Sequence, residues 1–104
     1  MKLHEIVIAR DFSDMPFGRH RADGKHSAQH FTEDFLIPAL KKHDLVTVVL
    51  DGAFGYGSSF LEEAFGGLTR KGFSKADLTS RLNIVSKDDA HLLTEVWSYI
   101  KGKD

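Results

Sequence analysis

The sequence predicts a small α/β layered sheet, and three observations carry that prediction. Runs of β-branched and aliphatic residues occur at 3–9, 45–50 and 82–85. Helix-patterned stretches lie between and after them. Capping and breaking residues stand at the joins, giving the order strand, helix, strand, helix, strand, helix. The chain has 104 residues, 41% apolar and 28% charged, which is the make-up of a globular chain with one core. The whole of 1–104 is therefore read as one domain.

Residues 3–9 (Leu-His-Glu-Ile-Val-Ile-Ala) form the first expected strand. The following segment to Lys25 carries Pro16, Gly18 and Gly24 and reads as a connection. Phe12 and Phe17 are expected to pin it to the core, with a short hairpin strand at 17–20. Ser27 is a candidate N-cap for a helix from Ala28, on which Phe31, Phe35 and Ala39 share a face. Pro38 has no N–H to donate to the Asp34 carbonyl, so a kink or break is expected there.

Residues 45–50 are almost uninterrupted in β-branched type, as in a central strand covered on both faces. After Asp51-Gly52 and a glycine-rich loop, residues 58–68 read as a second helix with a buried stripe at 60, 61, 64, 65 and 68. Gly66 and Gly67 each cost about 1 kcal/mol there relative to Ala, which implies close backbone packing or an early helix end. Ser74 begins a capping-box pattern for a short helix to Arg81, and Ser86 to Asp89 gives another before the last helix. Leu92, Leu93, Val96, Trp97 and Ile100 form the apolar face of that helix.

Composition also bounds function. Fourteen basic side chains face fifteen acidic ones, for a formal charge of −1, so nucleic acid is disfavoured as a partner. The absence of cysteine excludes disulfides and thiolate metal sites. No signal-peptide pattern and no membrane-length apolar run is seen, and a cytoplasmic location without a membrane partner is the expectation.

The stretch Val48-Val49-Leu50-Asp51-Gly52, followed by Gly57-Ser58-Ser59-Phe60-Leu61-Glu62-Glu63-Ala64-Phe65-Gly66-Gly67-Leu68, resembles the STAS-like family of unknown function. Phe12-Ser13, Gly18-Arg19 and the 27–40 helix with Pro38-Ala39-Leu40 also resemble it, so the likeness runs to about Gly72. It implies a small STAS-like layered sheet. The family is similar in turn to STAS domains, among them anti-sigma-factor antagonists. Those carry a serine or threonine at a strand–loop–helix junction that an ATPase-type kinase phosphorylates, and the added charge breaks the complex. By position Ser58 matches that phosphoacceptor, with Ser59 beside it. Two departures stand out: Gly57 replaces the usual preceding Asp, and Phe60 replaces the Gly that usually follows the serine pair.

Physical reading separates the two serines. Ser59-Phe60-Leu61-Glu62 is a capping-box pattern, which makes Ser59 the helix cap and leaves the Ser58 hydroxyl free near the positive helix end. The plain alternative is that both serines only start the helix. Phe54 and Tyr56, on a glycine-hinged loop, are candidate partner anchors together with Gly57, Ser58, Glu62 and Glu63. Phe54 could equally tuck into the core. The Gly55-Tyr56-Gly57 loop lacks the spacing of a nucleotide-binding motif. Arg19 and Arg21 are candidate anion-binding groups, with Lys25 nearby. His20, His26 and His30 with Asp23 lack a complete ligand motif, so neither a metal nor a cofactor is expected. Glu62 and Glu63 are adjacent on a helix and are expected to diverge rather than face one another. No catalytic constellation emerges.

The reading is therefore a non-catalytic regulatory module of STAS-like type that docks a protein partner through residues 54–65 and is switched at Ser58. The partner this implies is an ATPase-type kinase. Two alternatives stay open. One is a small-ligand or nucleotide-binding domain, or a small enzyme, using the same junction with Arg19 and nearby histidines. The other is an interaction subunit without a switch.

Overall fold

The computed structural model describes residues 1–102. Three parallel strands form its sheet: β1 (Leu3–Val7), β2 (Leu45–Val49) and β3 (Leu82–Val85), in the order β1-β2-β3. Ile6 pairs with Val48 and Val48 with Ile84, giving one apolar row across the sheet. The sheet is not evenly covered. Val46, Val48, Ile6, Leu82 and Ile84 are buried, whereas Leu45, Thr47, Val49 and Val85 on the opposite face are half-buried and Leu3 is exposed. The unbroken apolar run of β2 thus marks a central strand, but only one of its faces is fully enclosed. Both crossovers in a 1-2-3 parallel order turn the same way, which puts their helices on one side.

Helix α1 runs through three continuous stretches, Ala28–Phe31, Thr32–Leu36 and Ile37–Lys42. Ser27 caps it, its hydroxyl accepting the His30 N–H at 3.2 Å. The expected break at Pro38 does not occur. The turn Thr32–Leu36 is widened, with Ile37 N–H donating to the Thr32 carbonyl five residues back. The ladder changes register just ahead of the proline, where a donor is missing in any case.

Helix α2 (Ser58–Leu61, Glu62–Gly66 and Gly67–Arg70) has the same device, Gly67 N–H reaching Glu62 carbonyl. Phe60, Leu61, Ala64, Phe65 and Leu68 are all fully buried, as the stripe predicts. The two widened turns meet, and the buried Thr32 hydroxyl donates to the Ala64 carbonyl at 3.1 Å. Phe31 packs against Phe60 and Phe65 with ring centroids 6.2 and 6.3 Å away.

Helix α3 (Lys75–Arg81) is capped by Ser74, which accepts the Asp77 N–H. Helix α4 (His91–Lys101) packs on the widened turn of α2, with Val96 and Ile100 buried and Leu92, Leu93 and Trp97 half-buried against the core. Its start differs from expectation. Ser86 donates to the Asp89 carbonyl instead of capping, and the Asp89 carboxylate accepts the His91 N–H.

The 13–26 connection also differs. Residues 17–20 form no strand: Phe17 N–H donates to the His26 carbonyl, but the Gly18 and Arg19 carbonyls take the Ala28 and Gln29 N–H groups at the start of α1, and Arg21–Asp23 makes a single tight turn. Phe12 packs against the core, but Phe17 points to solvent and the buried residue of this loop is Pro16. The first strand stops at Val7, where a widened turn over Ile8–Phe12 begins and the Asp11 carboxylate takes the Val7 N–H.

Gly66 and Gly67 separate cleanly in physical role. A Cβ on Gly66 would lie 2.9 Å from the flexible Glu62 Oε2, 3.1 Å from the Tyr99 carbonyl oxygen and 3.2 Å from its Cβ, so the backbone of α4 at Tyr99 would have to give way slightly. A Cβ on Gly67 would meet the flexible ends of Arg70 and Glu63 at 3.3 and 3.4 Å. Urea unfolding is expected to show Gly66→Ala destabilised by about 1–3 kcal/mol. Gly67→Ala is expected to be neutral or stabilised by up to about 1 kcal/mol. Equal effects at both positions would refute the assignment of Gly66 as the close-approach residue.

Candidate functional site

The loops at the C-terminal ends of the parallel strands form the candidate site, where ligands and partners of such sheets usually sit. Leu50 N–H donates to the Val85 carbonyl, and the chain then turns at Gly52, whose φ of +94° suits glycine. The Asp51 carboxylate accepts the N–H groups of Asp88 and Lys87 at 2.8 Å each, which ties the β2 loop to the β3 loop. These bonds, the Asp88 one foremost, hold its pKa below the usual carboxylate range. Tyr56 is half-buried, and its hydroxyl donates to the Leu50 carbonyl at 2.7 Å. Burial, and secondarily the Asp51 charge, push the phenol pKa well up, so Tyr56 is a neutral donor holding the loop.

Phe54 stands outside this frame and is 81% exposed, which excludes the alternative that it enters the core. Its N–H donates to the Asp14 carbonyl at 2.8 Å, joining the loop to the connection that carries Met15 and Phe17. Those two side chains are 65% and 71% exposed. Composition pointed to Phe54; Met15 and Phe17 were missed, since nothing in a loop's pattern separates an anchored aromatic from a presented one.

The helix cap differs from the sequence reading. Gly57, not Ser59, precedes the first helical residue, and Leu61 N–H bonds the Gly57 carbonyl. Ser58 and Ser59 are the first two residues of α2, both exposed, and neither hydroxyl caps it. The capping box fails because Glu62 is engaged elsewhere. Arg19 Nη1 lies 2.6 Å from Glu62 Oε1 and 3.7 Å from Glu63 Oε1. Arg70 reaches Glu62 Oε2 at 2.8 Å and Glu63 Oε1 at 3.3 Å. The two adjacent glutamates were expected to diverge. Their long side chains instead converge on the same two guanidiniums, in the widened turn of α2. Arg70 first, and then Arg19, hold the Glu62 carboxyl below its ordinary pKa.

Arg19 is held from its own side as well. Gly18 has φ +86°, and a Cβ there would fall 2.6 Å from the Asp23 Cβ. The Asp23 carboxylate accepts the Arg19 and His20 N–H groups at 3.0 and 2.9 Å. Phe17, Gly18, Arg19, Asp23 and residues 57–60 thereby line a shallow hollow of about 460 Å³ at the start of α2. Arg21 lies apart from it, paired with Glu33 and Asp34 at 3.2 and 3.0 Å. His26 and His30 both set their rings edge-on to Phe12, His30 also bonding the Lys25 carbonyl and nearing Asp34, while His20 stands apart near Asp23. Among the described residues no three His, Cys, Asp or Glu side chains gather as a metal set. No helix among them is long and apolar enough to cross a membrane.

A three-stranded parallel sheet with helices packed on its enclosed face, and a strand–loop–helix junction presenting serines at a helix start, define a small α/β domain of STAS-like type. Residues 27–91 match the family described as "STAS-like domain of unknown function (DUF4325)", and the chain belongs to that family. Comparison with curated proteins and with solved structures found no significant match.

The Glu62 pairing gives a pH signature. A carboxyl whose folded pKa is depressed adds stability that is present above its unfolded pKa and is lost as pH falls through the folded one. Urea midpoints are expected to fall as pH drops below the ordinary glutamate range, and Glu62→Gln is expected to flatten part of that fall. An unchanged pH profile in Glu62→Gln would show that the pairing contributes nothing.

Proposed function

We propose that this domain is a non-catalytic regulatory module that docks a protein partner through the junction of β2 and α2, residues 54–65, with Ser58 as its modification point. The observation that carries the reading is Phe54. Its side chain is 81% exposed on a loop that Tyr56 ties to the Leu50 carbonyl, so it buries little in the fold, and exposed aromatics beside a helix start are typical interface anchors. Met15 and Phe17 extend the same apolar rim. Tyr56 and Gly57 set the loop, and Ser58 stands next to them with Ser59 as a second acceptor.

Transfer to Ser58 would use a partner ATPase-type kinase. The serine Oγ forms a bond to the γ-phosphorus of ATP, the bridge to the β-phosphate breaks, and the hydroxyl proton passes to a base of the kinase. The added phosphate would bring about two negative charges to a helix that already carries Glu62 and Glu63 one turn on. Charge and bulk of that size inside an interface weaken docking. The small-ligand or nucleotide reading has less behind it. Arg19, the cation it requires, is already engaged by Glu62 and Glu63. A cytoplasmic setting, in which such kinases act, belongs to the same proposal.

The test is affinity capture from native-host lysate with wild-type and Ser58→Asp baits of equal stability. A protein retained by wild type and lost by Ser58→Asp is the expected outcome. The same proteins on both baits would sink the switch, and loss of nothing on Phe54→Ala would sink the docking surface.

A further inference from the structure

The chemistry around the exposed apolar side chains is predominantly acidic, with one lysine, the exposed Lys87, standing among the aspartates. The hollow beside Phe54 is lined by Asp51, Asp88 and Asp89, with Tyr56, Ser86 and Leu92 below them, and no lysine or arginine lines it. Asp14 lies beside Met15, and its carbonyl holds Phe54. Asp23 lines the adjoining hollow with Phe17. Asp14, Asp23, Asp88 and Asp89 are exposed. Asp51 is the acceptor of two backbone N–H groups, which favours its ionised form. The one cation in the adjoining hollow, Arg19, is neutralised by Glu62 and Glu63. The molecule as a whole is close to neutral, at −1, so this end is acidic by placement and not by composition.

From this charge pattern we infer that the occupant of the junction is a basic polypeptide segment that sets aliphatic or aromatic side chains against Met15, Phe17 and Phe54 and lysines or arginines against the surrounding aspartates. This rests on the docking role proposed above and adds the partner's chemistry to it. Apolar anchors supply affinity once water is excluded, while the acidic rim sets orientation and the rate of encounter. The same rim repels nucleic-acid phosphates and anionic lipid headgroups, so an exposed apolar patch at this end is not a membrane foot. Ser58 borders the surface; a phosphate there adds negative charge that by itself attracts a basic segment, so the weakening proposed above has to act through the bulk and hydration of the phosphate at the helix start.

The experiment pans a random-peptide display library on the immobilised protein at low salt, with Phe17→Ala/Phe54→Ala as the counter-selection target. The expected consensus combines lysine or arginine with aromatic or large aliphatic residues. A synthetic consensus peptide is then titrated by fluorescence anisotropy. Its affinity is expected to fall about tenfold or more for Phe54→Ala and for Asp14→Lys/Asp88→Lys, and to weaken as salt rises toward the range where the Debye length is about 8 Å. Both variants alter exposed side chains that bear no fold contact, and circular dichroism checks that they remain folded.

An acidic or neutral consensus, an affinity unchanged in Asp14→Lys/Asp88→Lys, or no enrichment over the counter-target overturns the inference, as does firm binding to phosphatidylglycerol vesicles. Lysate capture separates the two levels. A protein lost by Phe54→Ala but kept by Asp14→Lys/Asp88→Lys leaves the docking surface in place and removes only the basic partner.

Discussion

Helix α2 has to satisfy four neighbours at once, and the rest of the molecule is arranged around that demand. Its buried stripe seats on the enclosed face of the sheet and on Phe31 of α1. Its glycine at 66 lets α4 approach to backbone contact. Its glutamates hold the 13–26 connection through Arg19. A regular α-helix presents one stripe of about 100° width, too narrow for four partners. The widened turn at Glu62–Gly66 spreads those faces, and the matching turn of α1 meets it through the Thr32–Ala64 bond. Two locally irregular helices are thus made regular neighbours by a single buried hydroxyl.

That packing decides what the junction can offer. With α2 fixed, the loop before it is fixed at both ends, by Leu61 bonding Gly57 and by Tyr56 bonding Leu50. A loop so constrained loses little further entropy on binding, which favours recognition by a preformed surface. Phe54 is the aromatic of this loop that stays in solvent, whereas Tyr56 is half-buried and bonded to Leu50. The ion-pair cluster of Arg19, Arg70, Glu62 and Glu63 is partly exposed, so each pair contributes little, on the order of 0–1 kcal/mol. Its value lies in geometry: it sets the loop carrying Phe17 beside the helix start and pairs Arg19 with Glu62 and Glu63.

The order of elements was legible because hydrophobic period and caps are local signals. The β-branched run of β2, the stripe of α2 and the caps at Ser27 and Ser74 each involve residues within a turn or strand of one another. Where the reading failed, a distant group had intervened. Ser59 has the form of a cap, but Glu62 is drawn away by Arg19, forty-three positions earlier. Pro38 has the form of a break, but the register change beginning at Thr32 absorbs it. Phe17 and Phe54 have the composition of core residues, yet the core is already filled by Phe31, Phe60 and Phe65.

The sequence by itself determined the α/β order, the family and the junction at which to look, since periodicity, turn residues and the 48–68 motif are carried along the chain. Tertiary structure alone decided which side chains that junction presents. Presentation depends on what else is within reach: which carbonyl takes the tyrosine hydroxyl, which arginine takes the glutamates, and which aromatic finds no space in the core. Some of those pairings join groups close in the chain, as Tyr56 and Leu50 are, and others groups far apart, as Arg19 and Glu62 are, and only the folded arrangement decides between them.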